Sequence, residues 1–295
     1  MRYIDLDGLE EHIPDDWVQE AEELRQNLFD ATDSAARKEI INKHMHWNDI
    51  RMVRALKMYF HNKCWYTDSR ELISDFCVDH FRPVNEVKDE NDNILEDHGG
   101  YWWEAYNWRN YRLTGKRVNS ASSNDQQTET QGKGSYFPLV DESRRANTHT
   151  DTLASELPII LDPTEPMDVL LITYGADGVP IPVTPEPDDQ NLPEPIDRKR
   201  ARLTIKYLNL DSPILNGERK NIYRDTKRIV TRINNLADEY AHHHADSVYG
   251  ELRSEIRSLI KLYKDSDQLE LGIVIRHCIL VESGQTITRY ITSVA

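Results

Sequence analysis

Cysteine is scarce in this 295-residue chain, with only Cys64, Cys77 and Cys278 present. An odd number of widely spaced thiols supplies no disulfide framework and fits a reducing compartment. Long apolar runs are missing as well. No segment approaches the roughly 18 apolar residues that a membrane-spanning helix needs, and the start Met1-Arg-Tyr-Ile-Asp-Leu-Asp7 lacks the charged-then-apolar order of a secretion signal. A cytoplasmic protein with no membrane partner is therefore expected. Positive charge is short too: 36 Lys and Arg face 51 Asp and Glu, a formal net charge of −15, which repels nucleic acid at long range. No Gly-rich phosphate loop, Gly-x-Ser-x-Gly elbow or His-Glu-x-x-His occurs, so ATP hydrolysis by this chain is not expected.

What is present reads as a folding chain. Six Trp and fourteen Tyr in a 38% hydrophobic composition exclude disorder, and the length allows about two domains. The charge is segregated. Eleven basic and three acidic residues lie between Arg198 and Leu236, giving +8 and leaving −23 on the remainder. Such a division suits a surface facing phosphate or an acidic partner, and equally a solvated helix face.

Trp17, Ala21, Leu24 and Leu28 form the stripe of an amphipathic helix over 15–30, and Ile40, His44, Trp47, Ile50, Val53, Leu56 and Tyr59 continue the pattern over 34–60. The first sixty residues thus read as a helical pair. From His61 to Leu139 short segments broken by turns suggest irregular structure around a site. Leu170–Tyr174 and Val179–Val183 about Gly-Ala-Asp-Gly predict a hairpin, followed by a proline-stiffened linker over 184–197. Helices are expected at 201–207, 218–235 and 237–264, interrupted at 211–213 and 216–217. Leu271–Val281 fits a strand or a buried helix. The fold class is α+β, mostly helical, divided into 1–60, 61–140, an irregular 141–197 and a helical 198–295.

The densest chemistry lies in Cys77-Val-Asp79-His80-Phe-Arg-Pro83, then Gly100-Tyr-Trp-Trp-Glu-Ala-Tyr-Asn107-Trp-Arg-Asn110-Tyr-Arg-Leu113, then Asn119, then Gly132-Lys133-Gly-Ser-Tyr-Phe-Pro138. Hydrolysis of a phosphodiester needs a nucleophilic water, a base for its proton and a cation for the charge on phosphate. Asp followed by His at a strand end can serve both needs, although such pairs also arise by chance on surfaces. Two other patterns fall short. Asp89-Glu-Asn-Asp-Asn93 begins like a calcium loop but has Ile94 where Gly is required. His242-His-His244 sits on consecutive helix positions, which point about 100° apart and do not share an ion.

Together with Pro158-Ile-Ile-Leu-Asp-Pro163 and Arg202-Leu-Thr-Ile-Lys-Tyr-Leu-Asn-Leu210, these blocks resemble the HNH endonucleases associated with retrons and the Septu anti-phage system, the PtuB-like proteins, over roughly residues 45 to 225. The resemblance implies a small ββα-metal core with helical regions on both sides. It makes His80 the general base, Asp79 and Asn119 the ligands of one Mg²⁺ or Mn²⁺ ion, and Asn110 the residue whose hydrogen bonds hold the loop that aims His80. Arg82 and Lys133 become phosphate contacts, or partners of carboxylates. The implied activity is metal-dependent cleavage of nucleic acid, DNA first among the candidates, in an antiviral defence complex with an ABC- or SMC-like ATPase.

Two departures qualify this. Relatives carry two Cys-x-x-Cys pairs for a structural zinc, whereas the corresponding segments here are Cys64-Trp-Tyr-Thr67 and Gly115-Lys-Arg-Val118. Zinc is expected to be absent, since a closed site needs about four ligands. A substitute set from Cys64, Cys77 and His61 or His98 competes with simple buried thiols, and Trp102, Trp103, Tyr106 and Trp108 are expected to fill the space as core or to stack on bases. Second, the polar stretch Ser120–Gln131 separates Asn119 from Lys133 and reads as an inserted loop, leaving Asn124 or Asp125 as substitutes for Asn119. These departures motivate the alternative, a degenerate HNH scaffold that serves assembly or sensing.

Overall fold

The computed structural model describes residues 1–71, 75–119, 132–189 and 191–294. The chain divides into two compact units. Unit 1 comprises Met1–Ile172 and Pro182–Leu210, and unit 2 comprises Thr173–Ile181 and Asp211–Ala295. The N-terminal helices, the candidate core and the irregular middle segment apart from Thr173–Ile181 thus belong to one body. Among the described residues no helix is long and apolar enough to cross a membrane.

Unit 1 opens with α1 (Leu6–Glu10) and α2 (Asp15–Asp30), whose Trp17, Ala21 and Leu28 are buried on the expected stripe. The pattern over 34–60 does not make one helix. It breaks into α3 (Ser34–Lys43), a 3-10 turn at His46–Asn48 and α4 (Ile50–Tyr59). Asp49 is the cause: its carboxylate accepts the Arg51 N–H and caps a fresh helix start. Ile50 consequently stands 77% exposed, and Trp47 turns inward beside the His80 ring.

Strand β1 (Phe76–His80) pairs antiparallel with β2 (Tyr111–Gly115), with Asp79 opposite Arg112 and His80 opposite Tyr111. The short helix α5 (Lys116–Asn119) follows β2 without a gap. Two 3-10 turns, Trp102–Glu104 and Trp108–Asn110, fill the connection between the strands. One core gathers Tyr66, Phe81, Tyr101, Trp103, Tyr136 and Phe137. A second joins α2 and α4 to Tyr106, Tyr111 and Leu113. Trp103 and Tyr106 are buried, so for these two the core role prevails. Gly100, at φ +83°, lets the chain pass so close to Val84 that an added Cβ would lie 2.5 Å from its carbonyl.

The hairpin forms as β3 (Ile172–Tyr174) and β4 (Pro180–Pro182). Helix α6 (Ile196–Tyr207) starts earlier than its pattern suggested and closes on unit 1 through Thr204, whose hydroxyl accepts the Leu161 N–H.

Unit 2 is built on α7 (Pro213–His243), α8 (Asp246–Asp265), α9 (Gly272–Glu282) and α10 (Gln285–Val294). Asn216-Gly217 does not interrupt α7. Pro213 occupies the first turn, where its missing N–H costs nothing, and the break falls at His244, in the left-handed region at φ 48°. The open choice over 271–281 resolves as helix: Val274, Ile275, Cys278 and Ile279 are buried at helical spacing. Val230, Ile233, Leu259, Ile275, Ile279 and Ile291 make the shared core.

Candidate active site

Strands β1 and β2 are joined by the long connection and followed directly by the short helix α5. Asp79 and His80 end β1, and Asn110 immediately precedes β2. The Asn110 amide oxygen accepts the Arg82 N–H at 2.8 Å, and its amide nitrogen donates to the Arg82 carbonyl at 3.0 Å. A third bond, 3.4 Å to the Glu104 carbonyl, ties the clamp to the long connection. The turn leaving His80 is therefore held by one buried side chain.

The His80 ring is wedged by edge contacts to Trp47 and Tyr111, centroids 4.7 and 5.2 Å away. Its Nε2 lies 3.0 Å from the Ala105 carbonyl, which also accepts the Tyr111 hydroxyl at 2.8 Å. A carbonyl only accepts, so Nε2 carries the proton and Nδ1 carries the lone pair. Among the described residues Nδ1 has no hydrogen-bond partner. His80 retains some open surface, yet protein closes in on most of the ring. Burial depresses the imidazole pKa to about 4, against the smaller raising effects of the Ala105 carbonyl and Asp79. The ring is neutral at neutral pH.

Asp79 departs from its expected part. Its side chain is buried, and both oxygens are engaged: Lys133 Nζ donates to Oδ1 at 2.9 Å and the Tyr66 hydroxyl to Oδ2 at 2.7 Å. Lys133 also donates to the His80 carbonyl at 2.8 Å and is 1% exposed, so it does not reach a phosphate. Burial pulls its ammonium below the ordinary lysine range, with Asp79 opposing. Beside this pair, Arg112 forks onto Asp162 at 2.7 and 2.6 Å. Arg82 likewise spends its guanidinium on Glu156, Nε to Oε2 2.8 Å. The Asn119 side chain and residues 120–131, with Asn124 and Asp125, lie outside the described residues.

A Mg²⁺ or Mn²⁺ ion does not fit Asp79 in this arrangement. Magnesium binds at about 2.0–2.1 Å and keeps several waters, and the carboxylate is walled in by Tyr66, Lys133 and Arg112. Nor do the residues of Cys64–Thr67 and Gly115–Val118 fit zinc. The Cys64 N–H donates to the Ser69 carbonyl at 2.8 Å and the Trp65 N–H to Leu113 at 2.9 Å, which docks this turn on β2 by hydrogen bonds. Cys64 Sγ sits 3.7 Å from Thr114 Oγ1, and Thr67, Gly115 and Val118 offer no thiolate. His98 Nε2 bonds the Ala146 carbonyl at 2.9 Å, and among the described residues Cys64, Cys77, His61 and His98 do not converge as metal ligands do. Among the described residues Glu20, His46 and Asp49 alone converge as metal ligands usually do. Arg51 already bonds both carboxylates, at 2.7 to 3.0 Å, and Asp16 at 2.6 Å. These contacts hold the carboxyl groups of Asp16, Glu20 and Asp49 below their ordinary values.

Tyr66, Trp47, Arg112, Asp162 and the Ala105 carbonyl surround the motif residues without having been singled out from the sequence. Each lay in a quoted segment, Ala105 and Arg112 in Gly100–Leu113, Tyr66 in Cys64–Thr67, Asp162 in Pro158–Pro163 and Trp47 on the helical stripe, but with no role attached. Asp89 accepts the Asn91 and Asn93 N–H groups at 2.8 and 2.9 Å, an ordinary self-bonded turn. A scan against protein-family models finds no match, and a search of curated proteins finds none either.

Proposed function

We propose that this chain is an HNH-type endonuclease that hydrolyses nucleic-acid phosphodiester bonds, DNA first among its substrates, with His80 as general base. The observation that carries the reading is a neutral imidazole at the end of β1, its Nδ1 lone pair without a partner among the described residues, on a turn clamped by Asn110 in a ββα chain order. His80 Nδ1 would take the proton of the attacking water while Nε2–H stays on Ala105, which fixes the tautomer and steadies the imidazolium that forms. Trp47 and Tyr111 fix the ring plane. A pKa near 4 keeps the base free but weak, and an arriving phosphodiester monoanion would strengthen it by favouring the charged form. In this family's chemistry a divalent ion supplies charge neutralisation at phosphate. The Asp79 carboxylate as folded does not fit one.

Charge supports dependence on a partner. Unit 2 holds 12 Lys and Arg against 13 Asp and Glu, so nearly all of the −15 falls on unit 1, which contains His80. Unit 1 alone would repel nucleic acid, and the defence setting implied by the resemblance provides an ABC- or SMC-like ATPase to bring substrate. The second reading, a catalytically degenerate scaffold for assembly or sensing, is favoured by the closure of Asp79 with Lys133. One assay separates them: plasmid, single-stranded DNA and tRNA incubated in Mg²⁺, Mn²⁺ or EDTA, with and without the neighbouring ATPase. Cleavage that His80→Ala abolishes supports the nuclease. Absence of cleavage under every condition, with the complex assembled, supports the scaffold.

A further inference from the structure

Four buried charges meet behind β1: Asp79 and Asp162 on one side of the balance, Lys133 and Arg112 on the other, each less than a tenth exposed. The cluster is neutral as it stands. Lys133 Nζ holds one carboxylate oxygen of Asp79 at 2.9 Å and the carbonyl oxygen of His80 at 2.8 Å, a pair of hard oxygens of the kind that a divalent cation selects. Tyr66 covers the other Asp79 oxygen at 2.7 Å. Inserting a divalent ion beside Asp79 would leave two uncompensated positive charges in a region of low polarisability, and no room remains for the ion's waters.

We propose that the Lys133 ammonium is the resident cation of this centre, standing on the oxygens that a divalent ion would take, so that the folded chain binds no divalent ion at Asp79 and acquires such a site when an uncharged residue replaces Lys133. The inference uses the assignment of Asp79-His80 as the ββα centre but not the occurrence of cleavage. Lys133 is thus a built-in counter-ion, and divalent ions enter only in competition with it.

The test reads occupancy without substrate. In full-length protein with isotope-labelled histidine, the His80 ring signals, assigned by their loss in His80→Asn, should keep their line width as Mn²⁺ is added up to about twice the protein concentration. Selective broadening of His80 in the wild-type chain overturns the proposal. In Lys133→Met, the same addition should broaden His80, and electron paramagnetic resonance should count one more bound Mn²⁺ than in the wild type. That extra ion should disappear in Lys133→Met with Asp79→Asn. A folded Lys133→Met chain that gains no Asp79-dependent ion also overturns it, and the wild-type measurement decides alone if this variant does not fold. A catalytically silent protein gives the same line widths, so failure of the nuclease reading is seen only in the cleavage assay.

Discussion

Asn110 and Arg82 are joined by a two-way bond, side-chain amide to backbone amide, at 2.8 and 3.0 Å. It closes a ring across 28 residues of chain and fixes the direction in which the strand leaves His80. Asn110→Ala strands one backbone donor and one acceptor in a site that is 4% exposed. Each such group costs about 1–3 kcal/mol. The variant should lose roughly 2–4 kcal/mol in urea unfolding, and the Arg82 amide should exchange its hydrogen faster than in the wild type.

Stability should fall with acid in a definite window. The folded His80 pKa of about 4 lies below the ordinary 6.5, so the unfolded chain binds the extra proton first. The contribution of neutral His80 is complete above about pH 6.5 and disappears progressively as pH falls towards 4, to an extent on the order of 3 kcal/mol. Asp79 and Lys133, the charged groups facing the ring, act in opposite directions and do not reverse this. His98 and His277 are also depressed by burial and add to the same slope. Urea unfolding from pH 4 to 7 should be flatter for His80→Phe than for the wild type; equal slopes would refute the assignment.

Breaking one half of the buried ion pair should cost more than removing both charges. Lys133→Met leaves Asp79 alone with Tyr66 and should cost about 3–5 kcal/mol. Adding Asp79→Asn keeps an acceptor for the Tyr66 hydroxyl and removes the stranded charge. The double variant should therefore be more stable than the sum of the single effects by about 2 kcal/mol.

Gly99 and Gly100 offer a matched pair. Both have positive φ, but an added Cβ at Gly99 meets nothing within 4 Å whereas at Gly100 it meets the Val84 backbone at 2.5 Å. Gly99→Ala should cost about 1 kcal/mol from the left-handed conformation alone. Gly100→Ala should cost at least about twice that, as measured by thermal unfolding.

Thiol chemistry should separate the three cysteines. Cys64 and Cys278 are buried, and burial pushes the Cys278 thiol up to about 12, with Glu282 adding to the effect. Cys77 alone has open surface. An aromatic disulfide reagent at pH 8 should titrate one thiol in the native chain and three after denaturation.

The sequence carried those features that repeat along one element. The stripe of Trp17, Ala21 and Leu28 sets α2, and the paired apolar arms around Gly-Ala-Asp-Gly set the hairpin. What it hid depends on contacts between distant residues. Trp47 fits a helical stripe but turns to His80 because Asp49 restarts the helix. Lys133 reads equally as a phosphate contact and as a carboxylate's partner, and only the fold shows that Asp79, 54 positions away, draws it inward. The clamp by Asn110 was legible through the motif, while the tautomer of His80 rests on a carbonyl, Ala105, that no side-chain pattern announces.

The nine residues Thr173–Ile181 leave one body, join the other and return. Tyr174 is buried there with Tyr223, Leu271, Val274 and Cys278. No single scission can therefore divide this polypeptide into two complete halves. A recombinant fragment stopping at Leu210 would carry an orphaned loop with a bare tyrosine, and one beginning at Asp211 would have a hole where that ring belongs. Dissecting the molecule calls for excising the loop from the first piece and grafting it onto the second.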